Sequence, residues 1–127
     1  MRSEDAGMLR IAVLVGSPRK NGACARFAAE LEDALRGAGA VAELLFLCDY
    51  EVLGCVGCGA CERTGACVLD AREGAGGRPG FACLLKRLQA ADALALVAPV
   101  YFSGPPSQLK AVFDRMQPLW CQRYLLG

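Results

Sequence analysis

The residues LRIAVLV at positions 9–15 form an almost continuous apolar run that stops at Gly16. Such a run is typical of a strand that is buried on both faces of a parallel sheet. Apolar residues then recur at helical spacing over 22–37, with charged residues on the opposite side, and a second apolar run follows at 41–47. A strand, a helix and a strand within about 40 residues predict a right-handed crossover between parallel strands.

The pattern is interrupted by a segment rich in glycine and cysteine, residues 49–80, which we expect to be a long irregular insertion loop. Helical spacing resumes over 81–91, a third apolar run covers 93–100, and a further amphipathic helix follows Pro106. Pro118 is expected to end or kink that helix. This order predicts an α/β fold with a parallel sheet, in one domain that spans residues 1–127.

Composition excludes several classes of function. The 127 residues carry a net charge of +1, which predicts neither a nucleic-acid surface nor a membrane-binding one. No apolar run approaches the about 20 residues of a spanning helix, and the N-terminal stretch MRSEDAGMLR lacks the apolar centre of a signal peptide. We therefore expect a cytoplasmic protein. The chain has no histidine, so mechanisms that need an imidazole base are excluded, and we identify no catalytic acid or base.

The turn GSPRKNG, residues 16–22, joins the first strand to the first helix. Backbone N–H groups and the positive end of a helix dipole converge at such a turn, which favours binding of an anion. Ser17 and Asn21 add side-chain donors, and the guanidinium of Arg19 matches phosphate geometry. The turn contains neither the GxGxxG pattern nor a Walker loop. The alternative is a plain turn with Asn21 as helix cap and with Gly37 or Gly39 ending the helix.

Two stretches resemble the NADPH-dependent FMN reductase group of flavodoxin-like flavoproteins: LVGSPRKNGACARFA resembles its phosphate loop, and APVY after the third strand resembles its second motif. The resemblance implies a doubly wound parallel sheet of order 2-1-3-4-5, with FMN outside the carboxyl ends of strands one and three. Cys24 stands where many members have threonine or serine. The residues that the resemblance assigns to FMN are Ser17, Arg19, Asn21, Gly22, Ala23 and Cys24 in the first turn and Pro99, Val100, Tyr101, Phe102 and Ser103 in the second. The alternative for the second turn is a proline-rich strand end without a ligand.

Four of the eight cysteines, Cys55, Cys58, Cys61 and Cys67, form the pattern C-x2-C-x2-C-x5-C. The short spacings and the intervening glycines let the thiolates point to a common centre. We favour a [4Fe–4S] cluster, because the run resembles ferredoxin spacing. A zinc site, a metal-free loop and a redox pair of Cys55 and Cys58 stay open as alternatives. Cys48 and Cys83 are expected in or near the core.

The cysteine pattern within a flavodoxin-like chain resembles the archaeal and bacterial iron–sulfur flavoproteins, and this resemblance covers Leu9–Arg115. It implies a flavin-dependent oxidoreductase or electron carrier that passes electrons between a [4Fe–4S] cluster and FMN. Its partner would be a ferredoxin-like redox protein or NAD(P)H. The second hypothesis is an NAD(P)H-dependent FMN or quinone reductase whose cysteine loop binds structural zinc or no metal. A third is a binding module without flavin.

We recognise three of the five strands that the family has, and strands four and five are not found. We therefore expect that the chain is shortened at its C-terminus or that a partner covers the third strand, because a long apolar edge promotes aggregation. The apolar residues of the tail, 119–126, also have no evident place to be buried. Together these features predict a homo-oligomer, with the 49–80 loop and the tail at its contacts.

Overall fold

A computed structural model describes residues 6–127; Met1–Asp5, half of the N-terminal stretch considered above, lie outside the described residues. The chain forms three strands, five helices and two short 3₁₀ turns in the part that the structure describes. The strands are β1 (Arg10–Val15), β2 (Val41–Phe46) and β3 (Ala93–Val97). The helices are α1 (Ala23–Gly37), α2 (Ala60–Thr64), α3 (Phe81–Gln89), α4 (Ser107–Asp114) and α5 (Gln117–Tyr124), and the 3₁₀ turns are Leu47–Asp49 and Val68–Arg72.

The strands form a parallel sheet of order β2-β1-β3. Leu14 of the central strand pairs with Leu45 of β2 on one side and with Leu96 of β3 on the other. Residues Ala12–Val15 of β1 are all buried, so both faces of the central strand are covered, which explains the continuous apolar run. The α/β prediction and the flavodoxin-like order of the first three strands are confirmed.

The residues group into two compact units: the first contains the chain up to Cys48 and Leu85–Pro106, and the second contains Asp49–Leu84 and Ser107–Gly127. The first unit holds the sheet and α1. Its core consists of the buried residues Val13, Val15, Ala28 and Val97, with Leu31 and Leu35 of α1 packed against it. The helical spacing read from the sequence therefore corresponds to one buried face of α1.

Strand β3 is shorter and more exposed than the sequence indicated. It ends at Val97, not at Val100, and it pairs with β1 alone. Leu94 and Leu96 keep 42% and 44% of their surface exposed, while Val97 is buried. Leu94 and Leu96 therefore remain exposed in the described sheet, whereas Val97 joins its core.

The long cysteine-rich loop predicted after β2 is present in the second unit, but it is not irregular throughout. This segment contains α2 and a 3₁₀ turn, and its ends are joined by a parallel bridge between Glu51 and Gly80. A Cβ at Gly80 would lie 2.7 Å from the Cβ of Glu73, so the chain needs glycine there. Helical spacing was missed in this segment because its helix is only five residues long.

Three further expectations were wrong. The N-cap of α1 is Gly22, not Asn21, because the helix begins one residue later than expected. Pro118 lies in the first turn of α5 and does not end a helix; proline is favoured there because the first turn needs no N–H donor. Cys83 is exposed rather than in the core, whereas Cys48 is half-buried. Among residues 6–127, no helix is both long enough and apolar enough to span a membrane.

Candidate functional site

The turns that follow β1 and β3 begin side by side in the first unit. Beyond the last paired residues, Val15 and Val97, the N–H of Gly16 donates a hydrogen bond to the carbonyl of Val97 at 2.8 Å. The carboxyl ends of parallel strands meet at one edge of a sheet, and ligands of doubly wound proteins bind there. The structure therefore brings the two sequence-predicted turns to the same edge.

The first turn presents an open helix N-terminus beside a cationic side chain. Gly22 precedes α1 in an extended conformation and has no side chain to cap the helix. A Cβ at Gly22 would lie 3.9 Å from Nε of Arg19, so the Arg19 side chain lies against the start of the helix. Ser17 is buried, and its Oγ accepts a hydrogen bond from the N–H of Arg19 at 3.2 Å. The helix dipole and the guanidinium together favour an anion at this position.

The other predicted residues of the first turn lie in two environments. Asn21 and Ala23 are exposed at the start of α1. The side chain of Cys24 is half-buried and packs against the core of the sheet. Cysteine has no hydroxyl group, and the Cys24 side chain lies against the core. The backbone N–H of Cys24 is therefore the group that it can offer to an anion.

An apolar cavity of about 390 Å³ lies next to this turn. Ala23, Cys24 and Phe27 of α1 form one side of it, and Leu96–Ala98 at the end of β3 form the other. Its volume is within the usual range for small-molecule sites. The first unit thus combines an anion-binding turn with an adjacent apolar surface.

The second turn has an unusual backbone. Phe102 and Ser103 adopt left-handed conformations with φ of 46° and 66°, which are rare for residues other than glycine. The turn is closed by two hydrogen bonds between the backbones of Tyr101 and Gly104, at 2.9 and 3.1 Å. Val100, Tyr101 and Phe102 are exposed, while Pro99 is half-buried. Backbone strain of this kind is concentrated at ligand sites, and no glycine in the sequence signalled it.

In the second unit, the four cysteines of the motif line one cavity of about 90 Å³. Gly57 and Gly59 adopt positive φ values of 69° and 74°, which turn the chain between successive cysteines. Cys55 and Cys58 are exposed, and Cys61 and Cys67 are half-buried. The N–H of Gly57 already donates to Sγ of Cys55 at 3.4 Å. The donor set of four thiols without histidine fits a thiolate-bound cluster.

The cysteines are not preassembled as ligands, however. Within residues 6–127, no three side chains of the histidine, cysteine, aspartate and glutamate types converge closely enough to hold a metal ion. The four thiols therefore share a cavity but would have to move toward a common centre to bind one.

Cys121 of α5 is a fifth thiol at this site, and sequence reasoning missed it. Helices α2 and α5 pack together, and Nε2 of Gln122 donates to the carbonyl of Gly65 at 2.5 Å. Burial raises the pKa of the Cys121 thiol, and its hydrogen bond with Cys61 raises the pKa further. Only the packing of two helices that are distant in sequence reveals this pair.

Arg115 is the second residue that sequence reasoning missed, because it was read as an ordinary end of an amphipathic helix. Its side chain is 1% exposed, lines the cysteine cavity and pairs with Glu73 and Asp70. Burial lowers the pKa of its guanidinium, but the hydrogen bond and charge of Glu73, with Cys67 and Asp70, raise it above its usual value. Arg115 is therefore a permanent cation beside the cysteines.

A parallel sheet of order 2-1-3 with an open helix N-terminus after its first strand defines the flavodoxin-like class of α/β proteins. Within this class, residues 9–126 match the NADPH-dependent FMN reductase family, and the chain belongs to that family.

Curated relatives agree with this assignment. The chain is 33% identical over 113 residues to an iron–sulfur flavoprotein of Methanocaldococcus jannaschii, covering 87% of this chain and 53% of the relative. It is 32% identical over 107 residues to one of Methanosarcina thermophila, covering 84% and 52%. It is 30% identical over 105 residues to one of Archaeoglobus fulgidus, covering 83% and 44%. The chain thus spans about half the length of the curated relatives that it matches. No solved structure gives a significant match.

We predict that Cys121 is alkylated more slowly than Cys55 and Cys58 in the folded, metal-free chain. A raised pKa leaves less of the reactive thiolate at a given pH, and burial restricts access to it. Timed labelling with iodoacetamide at neutral pH, followed by peptide mass spectrometry, measures the three rates. In urea the difference should disappear. Equal rates in the folded chain would contradict the packing of α5 against α2.

Proposed function

We propose that this chain provides the FMN site and the cluster site of a flavin-dependent oxidoreductase that passes electrons between FMN and a [4Fe–4S] cluster. The observation that carries the proposal is the shared cavity of Cys55, Cys58, Cys61 and Cys67 in a chain of an FMN reductase family. The iron–sulfur flavoprotein names of three relatives support it.

The turn of residues 17–23 would hold the phosphate of FMN. Arg19 would form charge-assisted hydrogen bonds to it, and the N–H groups of Gly22 and Ala23 would donate from the helix N-terminus. Ser17 and Asn21 would add side-chain donors, with the Cys24 backbone next along the helix. This arrangement suits the single phosphate of FMN, because the uncapped N-terminus of α1 directly follows the turn.

The second turn would bind the flavin ring. Val100, Tyr101 and Phe102 expose apolar surface, and Pro99 and Ser103 flank them. Apolar and aromatic side chains bind a flat ring, and backbone groups of the closed turn meet its polar edge. No residue of either turn is proposed as a catalytic acid or base.

When bound, FMN accepts one or two electrons and the cluster exchanges one, so together they couple one-electron partners to two-electron chemistry. The exposed positions of Cys55 and Cys58 place part of the cysteine site at the surface of its unit. That position suits a redox partner such as a ferredoxin-like protein, with NAD(P)H as the other candidate electron donor. All eight cysteines are free, which agrees with a reducing compartment such as the cytoplasm.

The second candidate function is an NAD(P)H-dependent FMN or quinone reductase whose cysteine loop binds zinc or no metal. The family match favours it, because the family is described by NADPH and FMN and not by a cluster. An absorption spectrum of protein purified without oxygen separates the two. Flavin bands with a broad additional shoulder support the cluster, and flavin bands alone support the second candidate.

We predict that Arg19→Ala weakens FMN binding by about 1.5–3 kcal/mol, because it removes a charge-assisted contact to the phosphate. Fluorescence quenching titrations of FMN measure the effect. Lys20→Ala is the matched control: it removes a charge from the same turn, but the Lys20 ammonium lies over the Phe46 ring, 5.5 Å from its centroid, and the loss should be smaller. FAD should bind no better than FMN. An unchanged dissociation constant for Arg19→Ala would remove this residue from the site.

We predict that anaerobic reconstitution incorporates about four iron and about four sulfide per chain. Alanine in place of Cys55, Cys58, Cys61 or Cys67 should abolish or degrade the cluster. Cys48→Ala and Cys83→Ala are the matched controls, since neither thiol lines the cavity, and both should keep the cluster. Metal and sulfide analysis gives the result, and stoichiometric zinc without sulfide would refute the cluster.

We also predict a homo-oligomer in solution. Leu94 and Leu96 of β3 are exposed in the first unit, and Trp120, Tyr124 and Leu125 are more than half exposed in the second. Exposed apolar surface of this kind is normally covered by another chain or by further residues of the same chain. Size-exclusion chromatography with light scattering tests this expectation at micromolar concentration. A soluble species with the 13.4 kDa mass of one chain would show that these surfaces remain open to water.

A further inference from the structure

We propose that Arg115 is the positioning residue of the cysteine site: its guanidinium closes the cysteine segment at both ends and holds a positive charge beside the thiols. The role of the positive charge rests on the cluster of the proposed function. The role of Arg115 in joining the two ends of the segment does not depend on a cluster.

One guanidinium reaches both flanks of the motif. Nη1 of Arg115 donates to the carbonyl of Leu53 at 2.9 Å, and Nη2 donates to Oδ1 of Asp70 at 2.7 Å. Leu53 precedes the first cysteine of the motif, and Asp70 follows the last one. The segment between them, with all four cysteines, is therefore a loop whose two ends meet at Arg115.

Glu73 fixes the guanidinium from the other side. Its Oε1 lies 2.5 Å from Nη1 of Arg115, and its Oε2 accepts a hydrogen bond from the N–H of Phe81 at 3.0 Å. The Phe81 ring also contacts the guanidinium, with 4.9 Å between its centroid and Cζ. The hydrogen bond from Phe81, the first residue of α3, and the close contact with Gly80 hold Glu73 in place. The contact between Glu73 and Arg115 therefore has one defined position.

The burial of the ion pair between Arg115 and Glu73 indicates that the pair positions the cysteine segment. The side chains of Arg115 and Glu73 are each 1% exposed. A buried ion pair adds little net stability compared with an apolar contact of the same size, but it accepts only the arrangement that pairs both charges. The pair therefore specifies where the ends of the cysteine segment lie.

The same guanidinium is available to the sulfur atoms. Arg115 lines the cavity together with all four cysteines. Its Nε is buried, and the residues from 6 to 127 offer it no acceptor. Hydrogen bonds and positive charge near the sulfurs stabilise the more negative, reduced form of a cluster and raise its reduction potential. Without Arg115, the carboxylates of Asp70 and Glu73 would lose the cation with which they pair.

The experiment compares Arg115→Met, which removes the charge and the donors, with Arg115→Lys, which keeps the charge and loses the forked geometry. Arg72→Met is the matched control, because Arg72 is an exposed arginine two residues beyond Asp70. Each full-length variant is purified without oxygen, and circular dichroism verifies its fold. The first readout is thermolysin cleavage between residues 54 and 69 of the cluster-free chain, mapped by mass spectrometry.

We expect Arg115→Met to increase the rate of that cleavage at least about tenfold, because it removes hydrogen bonds that hold both ends of the segment. Arg115→Lys should give an intermediate rate, and Arg72→Met should match the wild type. If folded Arg115→Met is cleaved at the wild-type rate, the proposal that Arg115 holds the two ends of the segment together is overturned.

The second readout is the reduction potential of the reconstituted cluster, measured by redox titration. Arg115→Met should incorporate less iron and shift the potential downward, and Arg115→Lys should restore it in part. Glu73→Gln, which keeps a side chain of the same shape but removes its negative charge, should shift the potential upward. These opposite signs distinguish a charge effect from a general loss of structure.

Glu73→Gln also keeps the proposal testable if Arg115→Met does not fold. A downward or zero shift in Glu73→Gln would overturn the role of the charge. If the wild-type chain incorporates no iron and sulfide, the cluster of the proposed function fails, and the charge role fails with it. The thermolysin rates then still support or overturn the closure of the segment.

Discussion

The parallel pairing of β1 with β3 is the constraint on which the candidate flavin site depends. The ladder ends with Val15 opposite Val97, and the hydrogen bond from the N–H of Gly16 to the carbonyl of Val97 continues it by one step. Both strands therefore end at the same edge of the sheet. Because Val15 and Val97 share a core with Ala28 of α1, the start of that helix is held at this edge as well. The uncapped N-terminus of α1 and an apolar turn are adjacent as a consequence of this pairing.

The second unit combines buried apolar side chains, such as Phe81, Leu84 and Val112, with a buried charge pair. Removing one partner of a buried ion pair typically costs about 3–5 kcal/mol, because the other charge is left without compensation. The pair of Arg115 and Glu73 thus makes the unit sensitive to the exact placement of the chain on either side of the cysteines. A short segment with many glycines has little apolar surface with which to define its own shape. The buried charge pair adds to the apolar contacts of the unit by fixing where the ends of this segment lie.

Elements with a long periodic pattern could be predicted from the sequence, and short or strained ones could not. The runs that became β1 and α1 were recognised because burial on both faces of a strand and on one face of a helix leaves a clear period. The helix Ala60–Thr64 is too short to show one. The left-handed backbone at Phe102 and Ser103 gave no signal, since glycine usually marks such positions. Pro118 was misread because proline both ends helices and begins them.

The sequence by itself determined the α/β class, the position of the turn between β1 and α1 and the grouping of four cysteines, because each of these depends on residues that are close along the chain. Only the tertiary structure decided that Arg115 meets the carbonyl of Leu53, 62 residues away, and that Cys121 lies against Cys61. No local pattern encodes such contacts. They form because the packing of whole elements brings distant groups together, and a buried charge or thiol then takes the partner that is within reach.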